Sequence, residues 1–233
     1  MRGCFIAGTD TDVGKTRVTA GLITALRERG VAATGMKPVV CGLIEDNGRY
    51  SSEDVDKICA ESGQSPADRD VNPYAFPEPI SPNIAAKKHA TCIDISIIKG
   101  HFSSISHLSA FPVVEGTGGW LAPISDAHTM ADIAVALGLP VILVVGLRLG
   151  CLNHALLTAQ AIRASGLPLA GWIGSRVVED FAEAEANIDT LTARLGSAPL
   201  ALLPYSHSPR SALPALREAV TKLLTEAPTQ SRS

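Results

Sequence analysis

Along the chain, short apolar runs alternate with longer stretches whose apolar residues return every three or four positions. Residues 4–7 form the first run, which ends in the glycine-bounded turn Gly8-Thr9-Asp10-Thr11-Asp12-Val13-Gly14. From Lys15 to about Arg29 the period changes: Val18, Leu22, Ile23 and Leu26 share one helical face, and Gly30 stops the helix. A second strand is expected over residues 34–37. Pro38 closes it, because its ring disfavours helical geometry at Lys37 and holds that lysine extended at the strand's end. Four further runs, residues 111–115, 140–145, 169–173 and 200–203, lack the polar alternation of a half-solvated sheet, and a helix-like segment follows each. Residues 41–109 are less regular, with Asn/Gly/Ser clusters, one expected helix over 52–61 and a Pro-rich segment over 72–82; they read as loops and helices laid over the sheet. Apolar strands alternating with helices predict an α/β fold, a single domain over residues 1–226 with a mostly parallel central sheet and helices on both faces. Residues 227–233 read as a disordered tail.

In such a sheet, ligands gather at the C-terminal strand ends. Those ends carry residues 8–15, Lys37, residues 115–119, residues 146–151 and residues 174–175, so one edge of the sheet is expected to hold the chemistry. Composition narrows the class. At 233 residues and 46% hydrophobic content, the chain can bury one substantial core. Its 20 basic and 23 acidic residues leave a net charge of −3, with no dense basic stripe for a nucleic-acid backbone. The longest apolar stretch is broken by Gly138, Pro140 and Gly146 and falls short of the ~20 residues of a membrane helix. The first residues run straight into a strand, so a cytoplasmic protein without a signal peptide is expected. Five cysteines without a C-x-x-C, and six histidines without ligand spacing, suggest neither a disulfide framework nor a transition-metal centre. His101 and His107 fall in a Ser-rich stretch expected to be exposed.

Gly14-Lys15-Thr16 behind an apolar strand is the end of a Walker A phosphate loop. Backbone N–H groups and the helix N-terminus would face phosphates, Lys15 would reach the outer ones, and the Thr16 hydroxyl would ligate Mg²⁺. Five residues separate Gly8 from Gly14, one more than the usual pattern; a plain Gly-rich turn is the bland alternative. Glu115 ends an apolar strand before Gly116-Thr117-Gly118-Gly119, as the acidic residue of a metal-nucleotide site does. Lys37, held extended beside the loop, is well placed to meet phosphoryl charge, although many strand-end lysines are merely solvated. Asp54 is a further candidate acid, but Glu45, Asp46, Glu53 and Asp56 are equally acidic neighbours, and spacing does not choose among them.

Taken together, residues 8–16, Lys37-Pro38-Val39, Val71-Asn72-Pro73-Tyr74, Ser81-Pro82, residues 114–120 and Gly150-Cys151-Leu152-Asn153-His154 resemble the dethiobiotin synthetases, including the extra loop residue. The resemblance runs from residue 4 to about residue 205. It implies a P-loop NTPase type fold and a ligase of biotin biosynthesis that closes 7,8-diaminononanoate with CO₂ into a cyclic urea, converting ATP to ADP and phosphate. By motif position it implies that Thr16, Asp54 and Glu115 hold Mg²⁺, and that Lys15, Lys37 and Thr11 serve catalysis. Asp12, Val13, Gly14, Lys15, Thr16, Arg17, Asp54, Glu115, Gly116, Thr117, Gly118, Ser175, Pro204, Tyr205 and Ser206 would face the nucleotide. Thr11, Lys37, Cys41 and Gly118 would face the diamine, whose carboxylate Gly150, Cys151, Leu152 and Asn153 of a partner subunit would receive, which implies a homodimer. Two positions depart from the family pattern: Cys41 stands where a serine is common, and Ser175 stands where an asparagine can read the adenine edge. A partition-type ATPase switch shares the deviant loop but needs a lysine five positions before Lys15, where this chain has Asp10. An amide ligase of the cobyrinate type would need a glutamine-cleaving domain, for which no room remains after Leu203.

Overall fold

A computed structural model describes residues 1–65, 68–206 and 208–225. The expected tail over 227–233 lies outside the described residues. The chain begins with β1 (Cys4–Gly8), α1 (Lys15–Glu28) and β2 (Ala33–Met36), and then leaves the main sheet for β3 (Val39–Cys41), β4 (Ile44–Asp46), β5 (Arg49–Ser51), α2 (Glu53–Ser62), β6 (Tyr74–Phe76), α3 (Pro82–Lys88) and α4 (Ile95–Leu108). It returns through β7 (Phe111–Glu115), α5 (Met130–Leu137), β8 (Val141–Leu147), α6 (Cys151–Ala164), β9 (Leu169–Arg176), α7 (Ala184–Leu195), β10 (Ala201–Leu203) and, after a short 3₁₀ turn, α8 (Leu213–Thr225). Six strands form one parallel sheet in the order β10-β9-β8-β1-β7-β2.

Both faces of this sheet are dry, and side-chain alternation divides them. Cys4 and Ile6 of β1, with Val113, Ile142, Val144 and Ile173, pack beneath Val18, Leu22, Ile23 and Leu26 of α1 and Leu216 and Val220 of α8. Phe5 and Ala7, with Val114, Leu143, Val145 and Trp172, face α4, α5, α6 and α7 through Ile98, Ile133, Ala159 and Leu191. Because β1 lies between β7 and β8, the loop after β1 and the ends of both neighbours open on one point. Gly35 of β2 marks the tightest approach there. A Cβ at that position would stand 2.1 Å from Ile58 Cγ2 and 2.9 Å from Ile23 Cδ1, so its absence lets α2 settle against β2 and brings Asp54 toward the strand ends.

The main sheet and its two helical layers agree with the sequence pattern, but several boundaries differ. Strands β8 and β9 run on through Gly146 and Gly174, which had looked like strand ends. The β8–β9 ladder continues by pairing Val145 with Gly174, Gly146 with Ser175 and Leu147 with Arg176, and the glycines serve crowding rather than a turn: a Cβ at Gly146 would meet Val13 Cγ1 at 2.8 Å, and one at Gly174 would meet Leu202 Cδ2 at 2.7 Å. The segment 41–109, expected as loops and helices, also holds two small strand pairs. β3 pairs in parallel with β6, and β4 pairs antiparallel with β5 across Asn47-Gly48, both at positive φ as a type I′ turn requires. The Ser-rich stretch around His101 and His107 is the helix α4; most of it is exposed, as expected, His107 included, while His101 is half-buried and Ile98 and Ile105 face the core. Asp94 caps its start, and Ser103 and Ser106 return their hydroxyls to the carbonyls of Lys99 and Phe102.

Candidate functional site

Beyond Gly8 the chain turns sharply. Asp12 at φ +56° and Gly14 at φ +92° take the left-handed conformation, and α1 then opens without a side-chain cap. Uncapped first-turn N–H groups at a helix N-terminus suit an anion. Gly14 admits no substitute: beyond its φ, a Cβ would stand 2.9 Å from Ser175 Oγ. Lys15, almost fully buried, directs its Nζ onto the Asp10 carbonyl oxygen at 2.7 Å. Burial holds its ammonium below the ordinary lysine value; Glu115 opposes that and Lys37 adds to it.

Opposite the loop lies a cluster of charges. Glu115, at the end of β7, has no solvent exposure, and its Oε1 accepts from Thr16 Oγ1 and from Lys37 Nζ, each at 2.7 Å. Lys37 also donates to Asp54. Burial alone would lower the Lys37 value, but Glu115 and Asp54 outweigh it and hold the ammonium above the ordinary range. Burial would raise the Asp54 carboxyl, and Lys37 overrides it, so Asp54 lies below its usual value. The fold thereby separates Asp54 from its acidic neighbours. It sits in the first turn of α2, behind the Ser52 cap, whereas Glu53 pairs with Lys57 on the surface and Glu45 and Asp46 lie on the exposed β4–β5 hairpin. Glu115 Oε2 is buried and has no hydrogen-bond partner among the described residues. An orphaned carboxylate oxygen beside a second acid and a threonine hydroxyl is the donor set a hard divalent cation takes.

These groups line one cavity of about 870 Å³. Thr11, Asp12, Gly14, Lys15, Thr16, Lys37, Cys41, Asp54, Glu115, Thr117 and Gly118, all candidates from the sequence, meet on its wall. Val40, Gly42, Pro79, Ile80 and Ala122 were not anticipated there, although the Ser81-Pro82 pair beside them belongs to the quoted motifs. Proline and apolar residues carry no chemical signature of their own; only the crowding of prolines over 72–82 marked the segment.

Other candidates stand off the cavity. Val13 is buried against Gly146, and Gly116 packs against Phe5 and Met130. Arg17 donates to the Pro204 carbonyl at 2.8 Å and to Ser211 Oγ at 2.6 Å, so it ties α1 to the 204–206 segment containing Tyr205 and Ser206. Ser175 is buried beneath Gly14. Gly150, Cys151, Leu152 and Asn153 lie at the start of α6, outside this cavity. The Cys151 side chain points into the core and its N–H is taken by the Arg148 carbonyl at 3.0 Å, which leaves the Cys151 amide committed within its own chain. Asp10, where a partition-type switch carries lysine, pairs with Arg148 at 2.5 Å.

A family profile described as an AAA domain matches residues 2–210. The chain is 43% identical over 204 residues to the ATP-dependent dethiobiotin synthetase BioD of Aromatoleum aromaticum, covering 88% of this chain and 91% of that protein. It is 42% identical over 207 residues to that of Nitrosospira multiformis, covering 89% and 90%. Among solved structures, the MinD cell division protein of Aquifex aeolicus superposes with a TM-score of 0.59 over the whole of both chains at 14% identity. The septum site-determining protein MinD of Pyrococcus horikoshii, in complex with Mg-ADP, superposes with a TM-score of 0.56 over 95% of this chain and 96% of that one at 17% identity. Those superpositions speak to the fold; the identity and coverage of the first two relatives speak to kinship, and the chain belongs to the family of ATP-dependent dethiobiotin synthetases.

Proposed function

We propose that this cavity closes 7,8-diaminononanoate and CO₂ into the cyclic urea of dethiobiotin, with ATP converted to ADP and phosphate. The observation that carries the reading is the juxtaposition of two buried lysines, Lys15 and Lys37, with Thr16, Asp54 and Glu115 at the mouth of the phosphate loop. One amine of the diamine adds to CO₂, loses a proton and becomes a carbamate. A carbamate oxygen takes the γ-phosphoryl group as the bond to ADP breaks, and the second amine then attacks the carbonyl carbon and expels phosphate. No protein atom need become covalently linked. The chain's task is alignment and charge compensation.

In this reading the N–H groups at the start of α1 and the Lys15 ammonium hold the phosphates. Lys37 faces the oxygens between carbamate and γ-phosphorus, where negative charge gathers, and the dry setting strengthens that attraction. Thr11 and Asp12 lie against the reacting groups. Val40, Pro79, Ile80 and Ala122 supply an apolar wall for the alkyl chain, next to the Cys41 thiol, which burial pushes up to about 11 and so keeps protonated. Thr16, Asp54 and Glu115 would hold Mg²⁺, supported by the orphaned Glu115 oxygen; when bound, the ion supplies charge neutralisation at the phosphates.

A homodimer is part of the same proposal. The start of α6 does not line its own cavity, and Leu149 beside it is 94% exposed, which suits a segment completed by a second copy. The five unpaired cysteines suit a cytoplasmic setting, and among the described residues no helix is long and apolar enough to cross a membrane.

The test is ATP turnover with Mg²⁺ and labelled bicarbonate, with and without the diamine. Turnover that ignores the diamine and yields no cyclic urea overturns the reading. Lys37→Ala is expected to fold and to lose about 10²–10³-fold in kcat, the usual loss on removing one charge-stabilising donor. Near-normal turnover would remove Lys37 from the catalytic set, and a fully active monomer in sedimentation would remove the shared site.

A further inference from the structure

We infer that Asn72 is a positioning residue, which fixes the backbone of Lys37 and thereby the aim of its ammonium. The inference rests on Lys37 being the lysine that meets the transferring phosphoryl group. It begins from the path of the chain. After Met36 the backbone leaves the six-stranded sheet, and at Val39 it joins the small β3–β6 pair. Lys37-Pro38 is the joint between two sheets and belongs to neither. Pro38 has no N–H to donate, so ordinary ladder bonding is interrupted at the residue whose side chain must be held most exactly in place.

The segment before β6 repairs that interruption. The Val71 carbonyl accepts from the Lys37 N–H at 2.9 Å, and Tyr74 donates its N–H to the Pro38 carbonyl at 3.2 Å. Between them, Asn72 Nδ2 donates to the Lys37 carbonyl at 2.6 Å and to the Tyr74 carbonyl at 3.2 Å. Two acceptors facing one NH₂ group fix which way the amide points, and neither an aspartate nor an aliphatic side chain can replace it. Asn72 thus links the joint to β6 through the Lys37 carbonyl.

The clamp has its own footing. Val71 donates to the Asp68 carbonyl at 3.0 Å, Asp70 pairs with His101 Nδ1 of α4 at 2.6 Å, and the Tyr74 hydroxyl accepts from the Asp94 N–H at 3.0 Å at the start of the same helix. From the other side Thr117 donates its hydroxyl to the Val39 carbonyl. A lysine has four rotatable side-chain bonds, and the carboxylates that steady its Nζ, Asp54 and Glu115, are also the proposed metal ligands. Its aim toward phosphate therefore depends on the backbone from which it springs.

The experiment is a double-mutant cycle in the full-length protein, with product formation read from labelled bicarbonate. Asn72→Ala is expected to lower kcat about tenfold to a hundredfold, the scale of a misaligned catalytic group, with ATP affinity unchanged. In the Lys37→Ala background the same change is expected to cost less than about twofold, because there is no ammonium left to misdirect. Losses that multiply instead would make Asn72 a general structural residue and overturn the inference, as would an Asn72→Ala enzyme with normal kcat. If Asn72→Ala does not fold, Asn72→Asp, of the same shape but with no donor, replaces it in the cycle under the same criteria. A Lys37→Ala enzyme of normal turnover would instead overturn the role of Lys37, an outcome separate from any result at Asn72.

Discussion

Replacing Glu115 by glutamine separates two roles that one carboxylate performs. In the folded chain its Oε1 accepts from Lys37 Nζ and from Thr16 Oγ1, both at 2.7 Å, and the whole side chain is excluded from solvent. At that separation the attraction to Lys37 is about 6 kcal/mol at an effective dielectric of about 20. Against it stands the desolvation of a buried carboxylate, itself several kcal/mol, which the neutral amide does not incur. The amide oxygen can still accept from both donors, and Lys37 keeps Asp54. The two terms largely cancel, so Glu115→Gln is expected to shift stability without ligand by no more than about 2 kcal/mol, or roughly 4–8 °C in Tm. Metal binding has no such compensation, since an amide carries no charge for a divalent cation. Ligand at a hundredfold over Kd adds ~2.7 kcal/mol of stability, roughly 5–10 °C for a domain of this size. Thermal unfolding with ATP, in Mg²⁺ and in chelator, reads both effects. The unaltered protein should gain most of its nucleotide-induced rise from Mg²⁺, and the variant should gain almost none. A variant that keeps the full Mg²⁺-dependent rise would refute Glu115 as a ligand, and one that is unfolded without ligand would refute the cancellation.

Two further outcomes follow from the packing and the surface charges. Gly35→Ala would drive a methyl into Ile58 Cγ2 and Ile23 Cδ1 and should cost about 1–3 kcal/mol of overpacking, with a fall in Tm of roughly 3–10 °C. Ile58→Leu, which removes the offending branch, should recover part of that loss, and no recovery would argue against this contact as the cause. Glu78 accepts from His89 and Lys88, and these partners hold its carboxyl down at about 2 from an ordinary 4.5. A depressed carboxyl contributes stability that is complete above the unfolded value and is lost as pH falls toward the folded one. The stability gap between the unaltered protein and Glu78→Gln should therefore be constant above about pH 5 and shrink between 4.5 and 2; urea titrations that show it widening on acidification would contradict the assignment.

What the sequence disclosed follows the range of the interactions involved. The phosphate loop was legible because its chemistry is local: Gly14, Lys15 and Thr16 are consecutive, and the strand before them and the helix after them carry their own periodicity. Glu115 was legible for a similar reason, as the one acid at the end of an apolar strand. Asp54 could not be chosen from its neighbours, because what singles it out is the packing of α2 against β2 across Gly35, a contact between elements rather than a property of residues 45–56. β3 and β6 escaped notice for the same cause. Each has three residues, too few for a pattern, and each owes its existence to a partner more than thirty residues away. Gly146 and Gly174 misled in the opposite sense: they carry a turn-former's signature, yet sit inside the β8–β9 ladder, where Val13 and Leu202 leave no room for a side chain.

The part of the site least visible in the sequence is the joint at Lys37-Pro38. A proline after the lysine announced an extended residue, but an extended residue still has a carbonyl to satisfy and a direction to hold. Both needs are met from across the fold by Val71 and Asn72, on a loop that α4 braces through His101. The Ser-rich stretch read as exposed is in this sense part of the scaffold of the site: its helix holds Asp70, Asp70 leads into the clamp, and the clamp meets the backbone of the buried lysine. Stiffness of that kind is carried by hydrogen bonds between segments with no common motif, which is why changes at Asn72 should register in kcat while the phosphate loop, built from its own consecutive residues, continues to bind nucleotide.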